Sequence, residues 1–139
     1  ELGKRVVLTN GCFDVIHAGH VSYLREAGAL GDLLVVGVNC DEQVSAQKGE
    51  GRPIYCLYER MEILAELQCV GLVVPFPQPT AEELIQIVKP DLYVKGGDYS
   101  LDEIKEHDVL RELGIEVRVL SERPGRSSTD VVAQLKETH

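Results

Sequence analysis

The stretch Thr9-Asn10-Gly11-Cys12-Phe13-Asp14-Val15-Ile16-His17-Ala18-Gly19-His20 joins two patterns of different period, and that junction decides the fold. Before it, Arg5-Val6-Val7-Leu8-Thr9 is a short run rich in β-branched residues, which predicts a buried strand. After it, Val21, Leu24, Ala27, Ala29 and Leu30 recur at helical spacing, with Arg25 and Glu26 on the other side. His17 and His20 therefore fall near a helix N-terminus, where free backbone N–H groups and the helix dipole favour an anion. Three residues apart, the two imidazoles lie about one helical turn from each other, so both can face one ligand. Ala18 and Gly19 between them are small enough for phosphate oxygens to approach the backbone.

Past the helix, Gly31-Asp32 predicts a turn, and Leu33-Leu34-Val35-Val36-Gly37-Val38-Asn39 a second buried strand. Strand, helix and strand in this short span make a βαβ unit with parallel strands and a right-handed crossover. Asn39-Cys40-Asp41 then ends at the same sheet edge as the two histidines, the carboxyl edge at which open α/β sheets bind ligands.

The same alternation continues. Residues 42–53 are polar and predict a short helix or turn followed by a mobile loop carrying Lys48, Gly49, Gly51 and Arg52. Lys48 and Arg52 are either phosphate ligands or solvated charges. Residues 57–67 are helical in period, and Arg60 on that helix either pairs with a Glu one turn away or turns its planar fork on phosphates. A third strand is expected over 70–75, closed by Pro75 and Pro77. Thr80-Ala81-Glu82-Glu83 predicts a capping box with Thr80 as N-cap, and the helix it opens stops before Pro90.

Leu92-Tyr93-Val94-Lys95 predicts a fourth strand running into Gly96-Gly97-Asp98-Tyr99, which returns Lys95 and Asp98 to the carboxyl edge, on a close-approach loop or a plain Gly-Gly turn. Residues 102–113 predict one or two helical turns ended by Gly114, and 115–120 a fifth strand with Val117 and Val119 on one side. Ser127-Ser128-Thr129-Asp130 opens a last helix over 131–136. Its hydroxyls either cap that helix or hold a phosphate there, with Arg123 and Arg126 adjacent. The expected architecture is one domain over 1–139, a Rossmann-like three-layer α/β/α fold on a five-stranded parallel sheet.

Bulk properties narrow the function. A chain of 139 residues can bury a real core, and 44% hydrophobic with 27% charged residues excludes a disordered segment. No apolar run is long enough to span a bilayer, and no signal peptide precedes the first strand. A net charge of −9 argues against a nucleic-acid backbone or an anionic membrane as partner, but not against a nucleotide, which needs only local cations. Cys12, Cys40, Cys56 and Cys69 form no C-x-x-C pair and read as reduced thiols of a cytoplasmic protein. His17, His20 and Cys12 have spacing that permits a metal. No other cluster completes such a site, and His107 and His139 lie elsewhere, so no structural metal is expected.

Four separated pieces now resemble one family. They are Thr-Asn-Gly-Cys-Phe-Asp-x-x-His-Ala-Gly-His at 9–20, Lys-Gly-x-x-Arg-Pro at 48–53 with Glu-Arg-Met at 59–61, Lys-Pro-Asp-x-x-Val-Lys-Gly-Gly-Asp-Tyr at 89–99, and Arg-Ser-Ser-Thr at 126–129. Together they resemble the cytidylyltransferase-like nucleotidyltransferases with the His-x-Gly-His signature. Val-Lys-Gly-Gly-Asp-Tyr resembles the heptose-1-phosphate adenylyltransferase branch, the transferase half of a bifunctional heptose enzyme of lipopolysaccharide precursor synthesis. The last motif departs from the family's usual Ile-Ser-Thr-Thr, and Ser-Ser-Thr-Asp also resembles cytidylyltransferases for phospho-alcohols.

The resemblance implies transfer of AMP from ATP to a sugar 1-phosphate, with Mg²⁺ on the triphosphate. It implies His17, His20, Lys48 and Arg60 as the catalytic set. It places Asn10, Gly11, Cys12, Phe13, Gly19, Gly97, Asp98, Arg123, Arg126, Ser127, Ser128 and Thr129 around the nucleotide, and Asp14, Asn39, Arg52, Lys95 and Tyr99 around the acceptor. It also implies a homodimer and a sugar kinase, separate or fused. The alternatives are a cytidylyltransferase acting on glycerol 3-phosphate or another phospho-alcohol, and a nucleotide-binding regulatory module without turnover.

Overall fold

The computed structural model describes residues 3–96 and 104–120. In order these form β1 (Val6–Gly11), α1 (Ala18–Gly28), β2 (Leu33–Asn39), α2 (Asp41–Lys48), α3 (Leu57–Ala65), β3 (Leu72–Phe76), α4 (Glu82–Val88), β4 (Leu92–Gly96), α5 (His107–Leu113) and β5 (Glu116–Leu120). All five strands pair in parallel in one sheet, in the order β3-β2-β1-β4-β5. The expected five-stranded parallel sheet is therefore present.

Strand alternation sorts the core into two layers. Val7, Leu34, Val36, Val38, Leu92 and Val94 face one side and pack with Tyr23, Leu24 and Ala27 of α1 and Leu64 of α3. Leu8, Val35 and Tyr93 face the other and pack with Ala81, Leu84 and Ile85 from the start of α4 and with Val109 and Leu110 of α5. The strand order explains the sorting. The chain steps outward from β1 through β2 to β3, returns to β4 beside β1, and steps outward again. Right-handed crossovers in opposite directions lay their helices on opposite faces. The reversal falls between β1 and β4, the switch point at which such sheets bind ligands.

The strands part there. β1 pairs with β2 along its whole length, from Val6↔Leu33 to Gly11↔Val38, whereas the β1–β4 register holds only Val7↔Leu92 and Leu8↔Tyr93. Beyond it the gap is bridged by hydroxyl groups. Thr9 Oγ1 lies 2.6 Å from Tyr23 Oη and 2.9 Å from the Val94 carbonyl oxygen, which Tyr23 Oη also approaches at 3.2 Å. Tyr93 Oη donates to Asn10 Oδ1.

Several boundaries differ from expectation. β3 covers Leu72–Phe76 rather than 70–75, and is an edge strand that carries Pro75 and a half-exposed Leu72. α3 ends at Ala65, two residues early. Within the 102–113 segment His107–Leu113 form α5, closed by Gly114 in the left-handed conformation that Gly adopts without cost. Thr80 is not the N-cap of α4; Ala81 is, and it has no side-chain cap. The Thr80 hydroxyl donates to Glu82 Oε1, and the backbone N–H of Ala81 donates at 2.9 Å to Glu106 Oε2, from 25 residues further on. The last helix expected over 131–136 lies outside the described residues.

Candidate active site

The loop from β1 to α1 turns sharply at Phe13, whose φ of 49° is unusual for a residue with a side chain. Its ring settles over Gly11, where an added Cβ would stand 3.0 Å from Phe13 Cε2. Gly11 thus leaves room for the buried ring, which meets His20 edge-on at 5.4 Å.

His17 and His20 themselves start the helix. His17 is the N-cap, and its Nδ1 accepts the Gly19 N–H at 3.0 Å. His20 is the third helical residue, and its Nδ1 accepts the His17 N–H at 3.2 Å. This is a capping box made of two imidazoles instead of the usual Ser/Thr and Glu/Gln. The rings stack at 3.9 Å, tilted by 26°. With each Nδ1 acting as acceptor, the proton of each neutral ring belongs on Nε2. Burial, then the positive charges of His17 and Lys48, push the His20 pKa down to about 4, so that ring is neutral at physiological pH. The result is a fixed pair of N–H donors at the switch point.

Lys48 ends α2 and is exposed, yet its charge is felt at both His20 and Cys12. Of its two expected roles, this favours a lysine beside the site. Burial raises the Cys12 thiol above its usual range despite Lys48, Arg60 and Arg52 nearby, so Cys12 is a protonated donor and not a nucleophile. Its Sγ lies 3.8 Å from Asn39 Oδ1 and 3.7 Å from Gln47 Oε1, two acceptors that share its one weakly donated proton.

Arg60 corrects one expectation. It is fully buried, with neither a surface glutamate partner nor an open fork for phosphate. Its Nη1 donates to the carbonyls of Cys12 and Asn39, both at 2.7 Å. Its Nε donates to the Tyr55 carbonyl at 3.0 Å, and its Nη2 to Asp41 Oδ1 at 2.6 Å. The guanidinium therefore ties the ends of β1 and β2 and the 52–56 segment together behind the site.

Asp14, also fully buried, does the same from the other side. It pairs with Arg52 and accepts the N–H groups of Ile54 (2.7 Å) and Tyr55 (3.0 Å). Burial alone would raise its pKa, but the bonds from Tyr55, Arg52 and Ile54 outweigh this and hold the carboxyl below its usual range. Asp14 and Arg52, both expected near the acceptor, are thus each other's partners.

A cavity of about 400 Å³ opens beside this frame, lined by Asn10, Gly11, Cys12, Asn39, Gln47, Lys95 and by Pro79 and residues 104–106. It brings together Asn10, Asn39 and Lys95, as expected at the carboxyl edge. Gln47 and Glu106 were not anticipated. Gln47 sits in a polar helix without motif, and Glu106 gains its place only through packing of α5 against α4. Gly97, Asp98, Tyr99, Arg123, Arg126, Ser127, Ser128 and Thr129 lie outside the described residues. Among the described residues no group of three His, Cys, Asp or Glu side chains is placed to hold a metal ion, and no helix is long and apolar enough to cross a membrane.

Comparison with known proteins agrees with this geometry. Residues 8–134 match the family model described as cytidylyltransferase-like. The bifunctional protein HldE of Aeromonas hydrophila is 51% identical over 135 residues, which is 97% of this chain and 28% of that protein. Its namesake from Pseudomonas syringae is 50% identical over 133 residues, 96% of this chain and 28% of that protein. The chain thus spans under a third of the length of these curated relatives. Among solved structures, a lipopolysaccharide core biosynthesis protein from Thermoplasma volcanium superposes with a TM-score of 0.71 at 31% identity, covering 87% of this chain and 98% of that one. A pantoate-beta-alanine ligase from Francisella tularensis shares the fold alone, with a TM-score of 0.59 at 16% identity over 98% of this chain and 70% of that one. The four-motif resemblance is borne out along nearly the whole sequence: the chain belongs to the cytidylyltransferase-like family.

Proposed function

We propose that this chain is an adenylyltransferase that moves AMP from ATP to a sugar 1-phosphate, heptose 1-phosphate by its branch motif, and releases pyrophosphate. The observation that carries the reading is the stacked imidazole pair, in which both Nδ1 atoms accept backbone N–H groups, so that the proton of each neutral ring belongs on Nε2. An oxygen of the sugar phosphate forms a bond to the α-phosphorus of ATP as the bond from that phosphorus to the bridging oxygen breaks. Pyrophosphate leaves with the electron pair. The nucleophile is already an anion, so no base is required, and catalysis is positioning plus stabilisation of charge on the α-phosphoryl oxygens.

His17 and His20 supply donors for that charge, and a neutral His20 fits a donor better than a titrating acid. Lys48 adds a mobile positive charge. Arg60 and Asp14 are positioning residues, which hold the Cys12 and Asn39 carbonyls and the 52–56 segment. Asn10, Gly11, Cys12, Phe13 and Gly19 shape the nucleotide side, with Gly97, Asp98, Arg123, Arg126 and the hydroxyls of Ser127, Ser128 and Thr129 completing it. Asn39 and Lys95 are assigned to the acceptor, as is Tyr99 from the resemblance. Mg²⁺ bound with the triphosphate would supply positive charge to the leaving pyrophosphate.

The relatives' name, a bifunctional protein, supports a second activity in longer chains, and a sugar kinase, fused or separate, is the partner this reading expects. A homodimer is expected from the resemblance. Four free thiols fit a cytoplasmic enzyme. The test is pyrophosphate release with Mg²⁺ for ATP, CTP and GTP, each paired with heptose 1-phosphate and with glycerol 3-phosphate. Release with ATP and heptose 1-phosphate alone is expected. Release with CTP alone would make the chain a cytidylyltransferase, and ATP binding without release would make it a regulatory module.

A further inference from the structure

Glu106 is a buried acid with only half its carboxyl group used. It is 2% exposed, and Oε2 accepts the Ala81 N–H, joining the start of α5 to the start of α4. Oε1 is also buried and has no hydrogen-bond partner among the described residues. A buried acceptor left in this state is rare in folded proteins and calls for a donor from elsewhere. Glu106 lines the cavity of about 400 Å³ at the carboxyl ends of β1, β2 and β4.

The other polar side chains of that wall are turned the opposite way. The amide oxygen of Asn10 is taken by Tyr93, and Asn39 and Gln47 both turn their amide oxygens to the Cys12 thiol, whose one proton they share, so the amino ends are directed elsewhere as donors. Lys95 and Lys105 are donors by nature and carry positive charge. Among the described residues the wall thus carries amide donors, the positive charges of Lys95 and Lys105, and the carboxylate oxygen Oε1 of Glu106. A hydroxyl group both accepts and donates, so a ligand with several hydroxyls and one phosphate meets all three requirements.

We propose that the Asn39, Lys95 and Glu106 part of this cavity takes the acceptor sugar phosphate, beside the nucleotide at Asn10, Gly11 and Cys12, and that Glu106 Oε1 accepts a hydrogen bond from one of its hydroxyls. Glu106 is then a specificity-determining residue for the acceptor. The inference rests on the adenylyltransferase reading for the identity of the sugar, but not for the existence of the pocket. A site built to bond a hydroxyl discriminates strongly against ligands without it, because the buried acceptor is then left unpaired.

The test is calorimetric titration of heptose 1-phosphate into the full chain held with Mg²⁺ and α,β-methylene-ATP, for the parent protein and Glu106→Gln. In the Gln variant the amide oxygen keeps the Ala81 N–H and an amino group takes the place of Oε1, so the sugar hydroxyl loses a charged acceptor and keeps only a neutral donor. Sugar phosphate affinity should fall at least tenfold in Glu106→Gln, while affinity for α,β-methylene-ATP stays within twofold. Equal sugar affinity in both proteins overturns the proposal, as does a matching loss of nucleotide affinity, which would move Glu106 to the base. No sugar binding to the parent also overturns it.

Should Glu106→Gln fail to fold, Lys105→Ala at the exposed rim is read in its place. A severalfold loss of sugar phosphate affinity at unchanged melting temperature supports the pocket, and no loss overturns it. Pyrophosphate release by the parent separates the two readings. Release with an unaffected Glu106→Gln defeats only the pocket, and sugar binding lost in Glu106→Gln without release from the parent defeats only the transfer reaction.

Discussion

Replacing Arg60 separates a guanidinium that builds the site from one that touches phosphate. In Arg60→Leu the carbonyls of Cys12, Asn39 and Tyr55 lose their charged donor. Bonds to charged groups are worth roughly 1.5 kcal/mol each at the low end, so the three together represent about 4.5 kcal/mol. The contact to Asp41 adds little, because Asp41 is about half exposed and its charge is screened by solvent. Burying a leucine returns on the order of 1.5 kcal/mol. The net cost is about 3 kcal/mol, at the lower end of what breaking a buried ion pair costs.

For a domain of this size that is about 10 °C in Tm, read by thermal melting without nucleotide. Arg60→Lys keeps the charge but not the fork, and should recover less than half of the loss, because one ammonium cannot span carbonyls on β1, β2 and the 52–56 segment. A Tm within about 2 °C of the parent for Arg60→Leu, with the loss confined to ATP affinity, would refute this reasoning and return Arg60 to the phosphates.

Other perturbations report on the imidazole pair and its surroundings. His17→Ala should lower turnover by on the order of 100-fold, as for loss of one preorganised donor, while removal of the cap costs only about 1 kcal/mol; unchanged turnover would remove His17 from the chemistry. With its pKa depressed to about 4, His20 should leave kcat/KM for ATP without an acid limb near pH 6.5, and such a limb, absent from His20→Asn, would contradict a neutral ring. The sign in stability follows. The unfolded chain binds this proton below its ordinary pKa near 6.5 and the folded one only near 4, so His20 costs stability progressively between those values as pH falls, by roughly 1–2 kcal/mol for a partly buried ring. Denaturant melts at pH 7 and pH 5 should show a smaller difference for His20→Asn than for the parent. Lys48→Ala should leave Tm unchanged and raise the half-saturating ATP concentration about tenfold, one charge-assisted contact; no change in ATP requirement would mark Lys48 as a solvated charge.

What the sequence exposed and what it hid divide along one line. The strands were legible because their apolar runs are local, and the placement of His17 and His20 at a helix start was legible because two periods meet there. The hidden features depend on partners far along the chain. Helical period puts Arg60 among charged neighbours, and nothing near it announces that the Cys12 and Asn39 carbonyls, 48 and 21 residues away, will take its donors. The Asp14–Arg52 pair closes over 38 residues. Thr80 has the spacing of a capping residue, yet Glu106 takes the amide at the start of α4 from across the loop. Long-range satisfaction of buried polar groups leaves no periodic trace in a single sequence.

Pro75 bears on how such a domain can live inside a larger polypeptide. β3 borders the sheet, and a bare border strand is an invitation for any neighbouring extended segment to join on. The relatives are more than three times as long, so a similar sequence there has further chain covalently attached, at high local concentration. Proline withholds an amide from that border, so a stray strand finds an interrupted template. Along β3, companions would have to meet this domain through side chains, a mode of contact that evolution can tune without endangering the sheet.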